Sequence, residues 1–161
     1  MSDTQDHFPP FKLEHALGFQ INQVAALMTH AIAEDFSASG YACNAQDFGI
    51  LYRIHEQKVM GQRDIVAMML RDKATVTRRL DGLVKQGFLH RSVAPCDRRC
   101  YQFSLTDKGV EALQTMQNAV QSFQESLLAG FPKAQRTQLF SALNTLKHLL
   151  IEKKSTYGAN P

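Results

Sequence analysis

The sequence contains no apolar run that approaches the roughly 18 residues needed to cross a bilayer. Its first fifteen residues, MSDTQDHFPPFKLEH, show no basic start followed by an apolar core, so we expect no secretory signal. It has only three cysteines, whose irregular spacing gives no disulfide framework and is typical of a reducing compartment. These absences predict a protein that acts in the cytoplasm, away from any membrane.

Motifs of catalysis are also missing. The six histidines form neither an H-x-x-x-H nor an H-E-x-x-H pattern, and Cys96 and Cys100 have no histidine nearby with which to hold zinc. There is no phosphate-binding glycine loop and no nucleophile elbow. We therefore expect no enzyme activity, no cofactor and no metal site.

The positive charge is concentrated in one part of the chain. The formal net charge is only +3, yet the segment from Arg71 to Cys100 has eight basic and three acidic residues, a local charge of +5 that leaves −2 for the rest. A basic cluster alone is most often a solvated surface. Here it coincides with structural signals that favour a nucleic-acid contact.

The spacing of apolar residues predicts four helices, a β-hairpin and two further helices. The hairpin strands are expected on either side of a polar segment, residues 94–100, because apolar residues alternate on both sides of it. The helices are expected over residues 12–36, from the N-cap Asn44, over 62–70, over 72–86, from the cap Thr106 to Gly130, and from Pro132 onward.

This order predicts a mainly α (α+β) fold, a winged helix-turn-helix with a two-stranded β wing. The last helix places leucines at four- and three-residue steps, a seam suited to another helix. We expect an N-terminal arm and dimerisation helix (1–40), a DNA-binding domain (41–108) and C-terminal dimerisation helices (109–161).

The helix over 72–86 is the candidate recognition helix. Its predicted buried face carries Val76, Leu80, Leu83 and Val84, and its outward face combines small residues with Arg78 and Lys85. Small residues permit close approach to a major groove, where arginine donates to guanine and threonine contacts phosphate or a thymine methyl.

The hairpin tip carries a second basic element, Pro95-Cys96-Asp97-Arg98-Arg99-Cys100. Two arginines on an exposed turn suit a minor groove, where the negative potential attracts guanidinium. Asp97 could orient Arg99 through a charge-assisted hydrogen bond.

From Asn44 to Gly109 the sequence resembles the MarR (multiple antibiotic resistance regulator) family of winged-helix proteins. The resemblance is carried by NAQDFGIL, by QRDIVAMMLRDKATVTRRLDGLVKQGFLHR, by DRR in the wing and by SLTDKG after it. It implies a homodimeric transcription regulator on a pseudo-palindromic double-stranded DNA operator.

The resemblance also implies roles for individual residues. Thr77 and Arg78 match the pair that reads the major groove, Arg99 matches the minor-groove arginine, and Asp97 matches the carboxylate that orients it. Their positions add further candidate DNA contacts at Lys73, Thr75, Arg79 and Arg98.

The resemblance further implies a repressor released by a small aromatic or phenolic effector bound between the dimer helices and the winged-helix lobe. The residues expected to line such a site are Met28, Phe36, Tyr52, His55 and Met116. Each of them also fits an ordinary core position.

Two alternatives stay open at this point. Cys96 and Cys100 bracket the wing arginines and are not part of the family pattern, so the wing could act as a redox sensor if the two thiols bridge. A protein of another class, a winged-helix module that binds protein or RNA, would not need cations on the outward face of its recognition helix.

The redox alternative predicts that an oxidant weakens operator binding by the wild-type protein and not by a Cys96→Ser, Cys100→Ser double variant. The measurement is a mobility shift with and without peroxide. Equal sensitivity of the two proteins would remove the alternative.

Overall fold

The computed structural model describes residues 12–95 and 97–157. It confirms the predicted fold class and the predicted order of helices and hairpin, with a short 3-10 turn, Leu13–His15, before the first helix. The elements are α1 (Leu17–Ala38), α2 (Ala45–Gln57), β1 (Met60–Gly61), α3 (Gln62–Met69), α4 (Lys73–Lys85), β2 (Leu89–Ala94), β3 (Asp97–Leu105), α5 (Asp107–Leu128) and α6 (Lys133–Tyr157).

The helix starts follow from local capping chemistry. Asn44 accepts hydrogen bonds from the amides of Gln46 and Asp47, and the Asp47 carboxylate accepts the Asn44 amide, so α2 begins with a complete capping box. Asp72 accepts the Thr75 amide at 2.8 Å and caps α4. The predicted N-caps Asn44 and Asp72 are confirmed, and the third, Thr106, accepts the Gly109 amide at 3.0 Å at the start of α5.

The sheet has one strand more than the sequence analysis predicted. Its order is β1-β3-β2, all antiparallel, with Met60 opposite Phe103 in the outer pair. In the hairpin itself Leu89 faces Leu105, and the register is irregular between Val93 and Ala94. The segment predicted to be polar turn is in part strand, because β3 already begins at Asp97.

The chain divides into two compact units, one through Val120 and one from Gln121 onward. The buried apolar residues that the structure describes all lie in the first unit, where α2, α3, α4, the sheet and the first turns of α5 supply most of them. They are Ile32, Phe36, Cys43, Ile50, Leu51, Ile54, Met60, Ile65, Val76, Leu80, Leu83, Phe88, Leu89, Phe103, Ala112, Leu113 and Met116.

The first half of α1 and the whole of α6 carry apolar side chains that this single chain leaves uncovered. On α1, Leu17 is 60% exposed and Leu27 is 72% exposed, although both belong to the predicted helical stripe. Within the described part of the second unit no residue is buried, and Phe140 and Leu150 are both about half exposed. Among the described residues no helix is both long and apolar enough to span a membrane.

Gly109 provides a test of how tightly α5 joins the winged-helix lobe. A Cβ added there would overlap the backbone carbonyl of Phe88, whereas a Cβ at Gly49 in α2 would meet nothing within 4 Å. Gly109→Ala is therefore expected to lower the free energy of unfolding by about 3 kcal/mol. Gly49→Ala should raise it by about 1 kcal/mol, because alanine favours a helix interior.

Urea denaturation of both variants at one protein concentration measures these changes. A Gly109→Ala protein as stable as wild type would contradict the close contact.

Candidate nucleic-acid interface

Helix α4 has the two faces that its sequence predicts. Val76 and Leu80 are completely buried and Leu83 nearly so, while Val84, predicted on the same face, is only half-buried. Arg78 and Lys85 are exposed. The outward face of α4 is therefore cationic and free of bulky apolar groups, as a groove-binding helix requires.

The threonines of α4 are held by hydrogen bonds. The Thr77 hydroxyl donates to the Lys73 carbonyl at 2.8 Å and accepts from the Gln62 amide nitrogen at 2.8 Å. The Thr75 hydroxyl accepts a longer bond, 3.4 Å, from Arg78. Because Gln62 opens α3, its bond to Thr77 joins the two helices of the helix-turn-helix, a partner that the sequence analysis did not identify.

Asp72 precedes this face and is held as an anion. Its hydrogen bonds with Thr75, through the side chain first and then the backbone amide, keep the pKa of the Asp72 carboxyl below its usual range. The carboxylate therefore stays charged while it caps α4.

Arg79 was predicted to contact DNA, yet its side chain turns toward α2. One guanidinium nitrogen donates to Asp47 at 2.9 Å and to Asn44 at 3.2 Å. The Arg79 side chain is only 25% exposed, and its Nε is buried with no hydrogen-bond partner among the described residues. A DNA contact of Arg79 stays a prediction; the structure gives this residue an intramolecular partner instead.

A second ion pair, missed by the sequence analysis, holds α4 to the sheet. Arg91 of β2 pairs with Asp81 of α4. The Arg91 guanidinium also lies 5.3 Å from the centre of the Tyr101 ring and 5.4 Å from that of Phe103. Cation–π contact of this kind stabilises a guanidinium that is partly withdrawn from water.

The start of α4 and the wing border one cleft. The cleft has a volume of about 510 Å³, and Lys73 and Arg99 both line it although they come from different elements. Arg63, near the start of α3, is a third cation on its wall and was not predicted. Three basic side chains and one acidic side chain, Asp64, therefore line the cleft between α4 and the wing.

The structure describes the other predicted residues of the wing only in part. Asp97 and Arg98 belong to β3, but their side chains lie outside the description, so the orientation of Arg99 by Asp97 stays a prediction. Cys96 lies outside the described residues. Cys100 is half-buried on the wall of the cleft between α4 and the wing. The redox role of Cys96 and Cys100 stays a prediction.

The five residues predicted to line an effector site differ in exposure. Phe36 and Met116 are fully buried, Tyr52 is half-buried, and Met28 and His55 are exposed. The ring of Phe48 lies 6.2 Å from that of Phe36 and 5.9 Å from that of Tyr52, so these two belong to one aromatic cluster. None of the five lines the cleft between α4 and the wing, or a second, smaller cleft of about 360 Å³ that is bordered by Asp47, Thr75, Arg78 and Arg79.

The sequence model of the MarR family matches residues 43–101, which span α2, α3, α4 and most of the hairpin. Over this segment the chain is similar to proteins of the MarR family. Members of that family are regulators of transcription that bind DNA, and they are not enzymes.

One relative is similar in sequence and two solved structures are similar in fold. The transcriptional regulator PecS of Dickeya dadantii is 27% identical over 134 residues, 81% of this chain and 80% of PecS. A MarR variant from E. coli, solved in complex with operator DNA, shares the fold with a TM-score of 0.76 at 22% identity and covers 86% of this chain and 99% of its own. BpsR of Bordetella bronchiseptica has a TM-score of 0.77 at 21% identity, with 86% and 98% covered.

The reactivity of the Cys43 thiol, just before α2, is a test of the burial of the region behind α4. Burial, and then the nearby Asp47 carboxylate, raises the pKa of the Cys43 thiol to about 11. In a Cys96→Ser, Cys100→Ser variant, alkylation of Cys43 at pH 8 should be about a hundredfold slower than in the same protein unfolded in urea. The rate should rise about tenfold per pH unit until the pKa is reached.

Iodoacetamide labelling followed by mass spectrometry measures this rate. A folded protein that reacts as fast as the unfolded one would contradict the burial of the thiol.

Proposed function

We propose that this protein is a MarR-family repressor that binds a pseudo-palindromic operator as a homodimer, with α4 in the major groove and the wing arginines in the minor groove. The observation that supports it most is the cleft shared by Lys73 and Arg99. Since one cation comes from the recognition helix and the other from the wing, both elements can contact the same stretch of duplex. Arg78, exposed on α4, is then the base-reading side chain.

The dimer is supported by the uncovered apolar faces. Leucines and other apolar residues on the first half of α1 and along α6 are 38–72% exposed in the single chain. Patches of this kind on a soluble protein mark interfaces, and a symmetric pair is the commonest oligomer. Two copies would present two α4 helices to half-sites about one helical turn, ~34 Å, apart.

Release by an effector completes the proposal. BpsR, a structural neighbour, is described as regulated in its DNA binding by 6-hydroxynicotinic acid. We infer that a small aromatic or phenolic ligand acts on this protein near the aromatic cluster of Phe36 and Tyr52. A ligand that favours the non-binding conformation by about 1.4 kcal/mol would weaken the DNA complex tenfold. A regulator of this kind works where the genome is, so we place it in the cytoplasm.

The alternative of a protein- or RNA-binding module loses support. The family match covers the helix-turn-helix and most of the wing, and the exposed cations lie on the face that duplex DNA would contact. No separate observation favours the other class.

The test begins with selection of bound genomic fragments by the purified protein, because the operator is not known. In a mobility shift on the selected fragment, Arg78→Ala should cost about 1–3 kcal/mol and relax the base preference at one position in each half-site. Arg99→Ala should also weaken binding strongly and reduce the salt dependence.

Arg53→Ala is the matched control, since Arg53 is an exposed arginine on α2 that pairs with Glu56. It should bind as wild type does. A protein that is monomeric and binds no duplex at low ionic strength would overturn the proposal.

A further inference from the structure

A polar contact connects α4 to the N-terminus of α2. Arg79 reaches across 32 residues of sequence to Asp47, and both side chains are largely buried, 25% and 13% exposed. An ion pair this well screened from water is stronger than an exposed one. We call Arg79, Asp47 and Asn44 the α2–α4 link.

The acceptor oxygens of the link are also held by the capping box of α2. The Asp47 carboxylate accepts the Asn44 amide with Oδ2 at 3.0 Å and Arg79 with Oδ1. The Asn44 side chain accepts two α2 amides as well as Arg79. Because the capping box holds these oxygens in place, little further side-chain entropy is lost when the arginine binds them.

A contact of DNA with the Nη1 of Arg79, the nitrogen that makes both bonds, would have to break this link. Two hydrogen bonds would be lost, and the Asp47 carboxylate would be left without its cation on the wall of the smaller cleft, which Thr75 and Arg78 also line. An unpaired anion there would repel the phosphates of bound DNA. The arrangement therefore favours an Arg79 that stays with Asp47 in the complex.

We propose that Arg79 is a positioning residue: its pair with Asp47 sets the orientation of α4 for operator binding, and Arg79 itself does not contact DNA. The proposal depends on the proposed function, in which α4 enters the major groove. It replaces the direct contact expected from the helical wheel with a contact inside the protein.

Whether Asp47→Asn strengthens or weakens the binding of DNA distinguishes a positioning role from a simple effect of charge. Removing a negative charge near the DNA-binding face should strengthen binding to any duplex if only charge matters. If the link positions α4, Asp47→Asn should weaken binding to the selected operator by about tenfold without weakening binding to a random duplex. Asparagine retains an oxygen that can accept the Asn44 amide, so the cap of α2 can persist.

Glu56→Gln is the matched control for Asp47→Asn. It removes one negative charge from the same helix, at an exposed position that pairs with Arg53 rather than with α4. Its affinity for operator and for random duplex should equal that of wild type. Thermal unfolding of all variants, at one concentration, shows whether each is folded at the temperature of the binding assay.

Arg79→Gln gives the second measurement. If Arg79 only positions α4, operator affinity falls while the slope of log affinity against log salt stays at the wild-type value. If Arg79 instead neutralises a phosphate, the slope loses about 0.9 for each copy. A reduced slope, or an Asp47→Asn protein that binds operator as well as wild type, overturns the proposal.

The outcomes also separate this inference from the proposed function. If Arg78→Ala and Arg99→Ala weaken binding and Asp47→Asn does not, the positioning role alone is wrong. If the wild-type protein binds no duplex, both are wrong.

Discussion

The packing of Val76, Leu80 and Leu83 into the core determines which side chains of α4 reach solvent. An α-helix turns once in about 3.6 residues, so one buried stripe leaves the opposite stripe exposed. Arg78 and Lys85 lie on that exposed stripe. The face of α4 that we propose to contact DNA is therefore a consequence of core packing, and the hydrogen bonds and ion pairs around α4 add to the orientation that burial sets.

The basic segment, residues 71–100, contains two kinds of arginine. Some form ion pairs with other elements of the protein, and some are exposed on the surface. Arg79 and Arg91 are each paired with a carboxylate of a neighbouring element and bury their Nε atoms. Arg78 and Arg99 are exposed. Since an arginine that binds a carboxylate contributes little positive potential, the positive charge presented at the surface is smaller than the sequence cluster implies.

Local signals made much of this structure predictable. Capping at Asn44 and Asp72, the apolar period of α4 and the alternation of the hairpin each depend on residues within a few positions, and each prediction is confirmed. Strand β1 has only two residues, too few to show a period. The pairing of Arg79 with Asp47 spans 32 residues and depends on how two helices meet. The helical wheel placed Arg79 on the flank of α4, as a candidate DNA contact, and could not show this tertiary contact. Exposed leucines on α1 and α6 carry the same period as core leucines, so periodicity cannot show what covers them.

The junction between α4 and α5 has a mechanical consequence. The Thr106 hydroxyl bonds the Gly87 carbonyl at 2.6 Å, the Lys108 ammonium bonds the Gln86 carbonyl at 2.8 Å, and Gly109 packs on Phe88 with no room for a methyl group. Bending at this point would break several contacts at once. A change in the direction of the first turn of α5 would therefore have to be accompanied by a shift of the C-terminal end of α4.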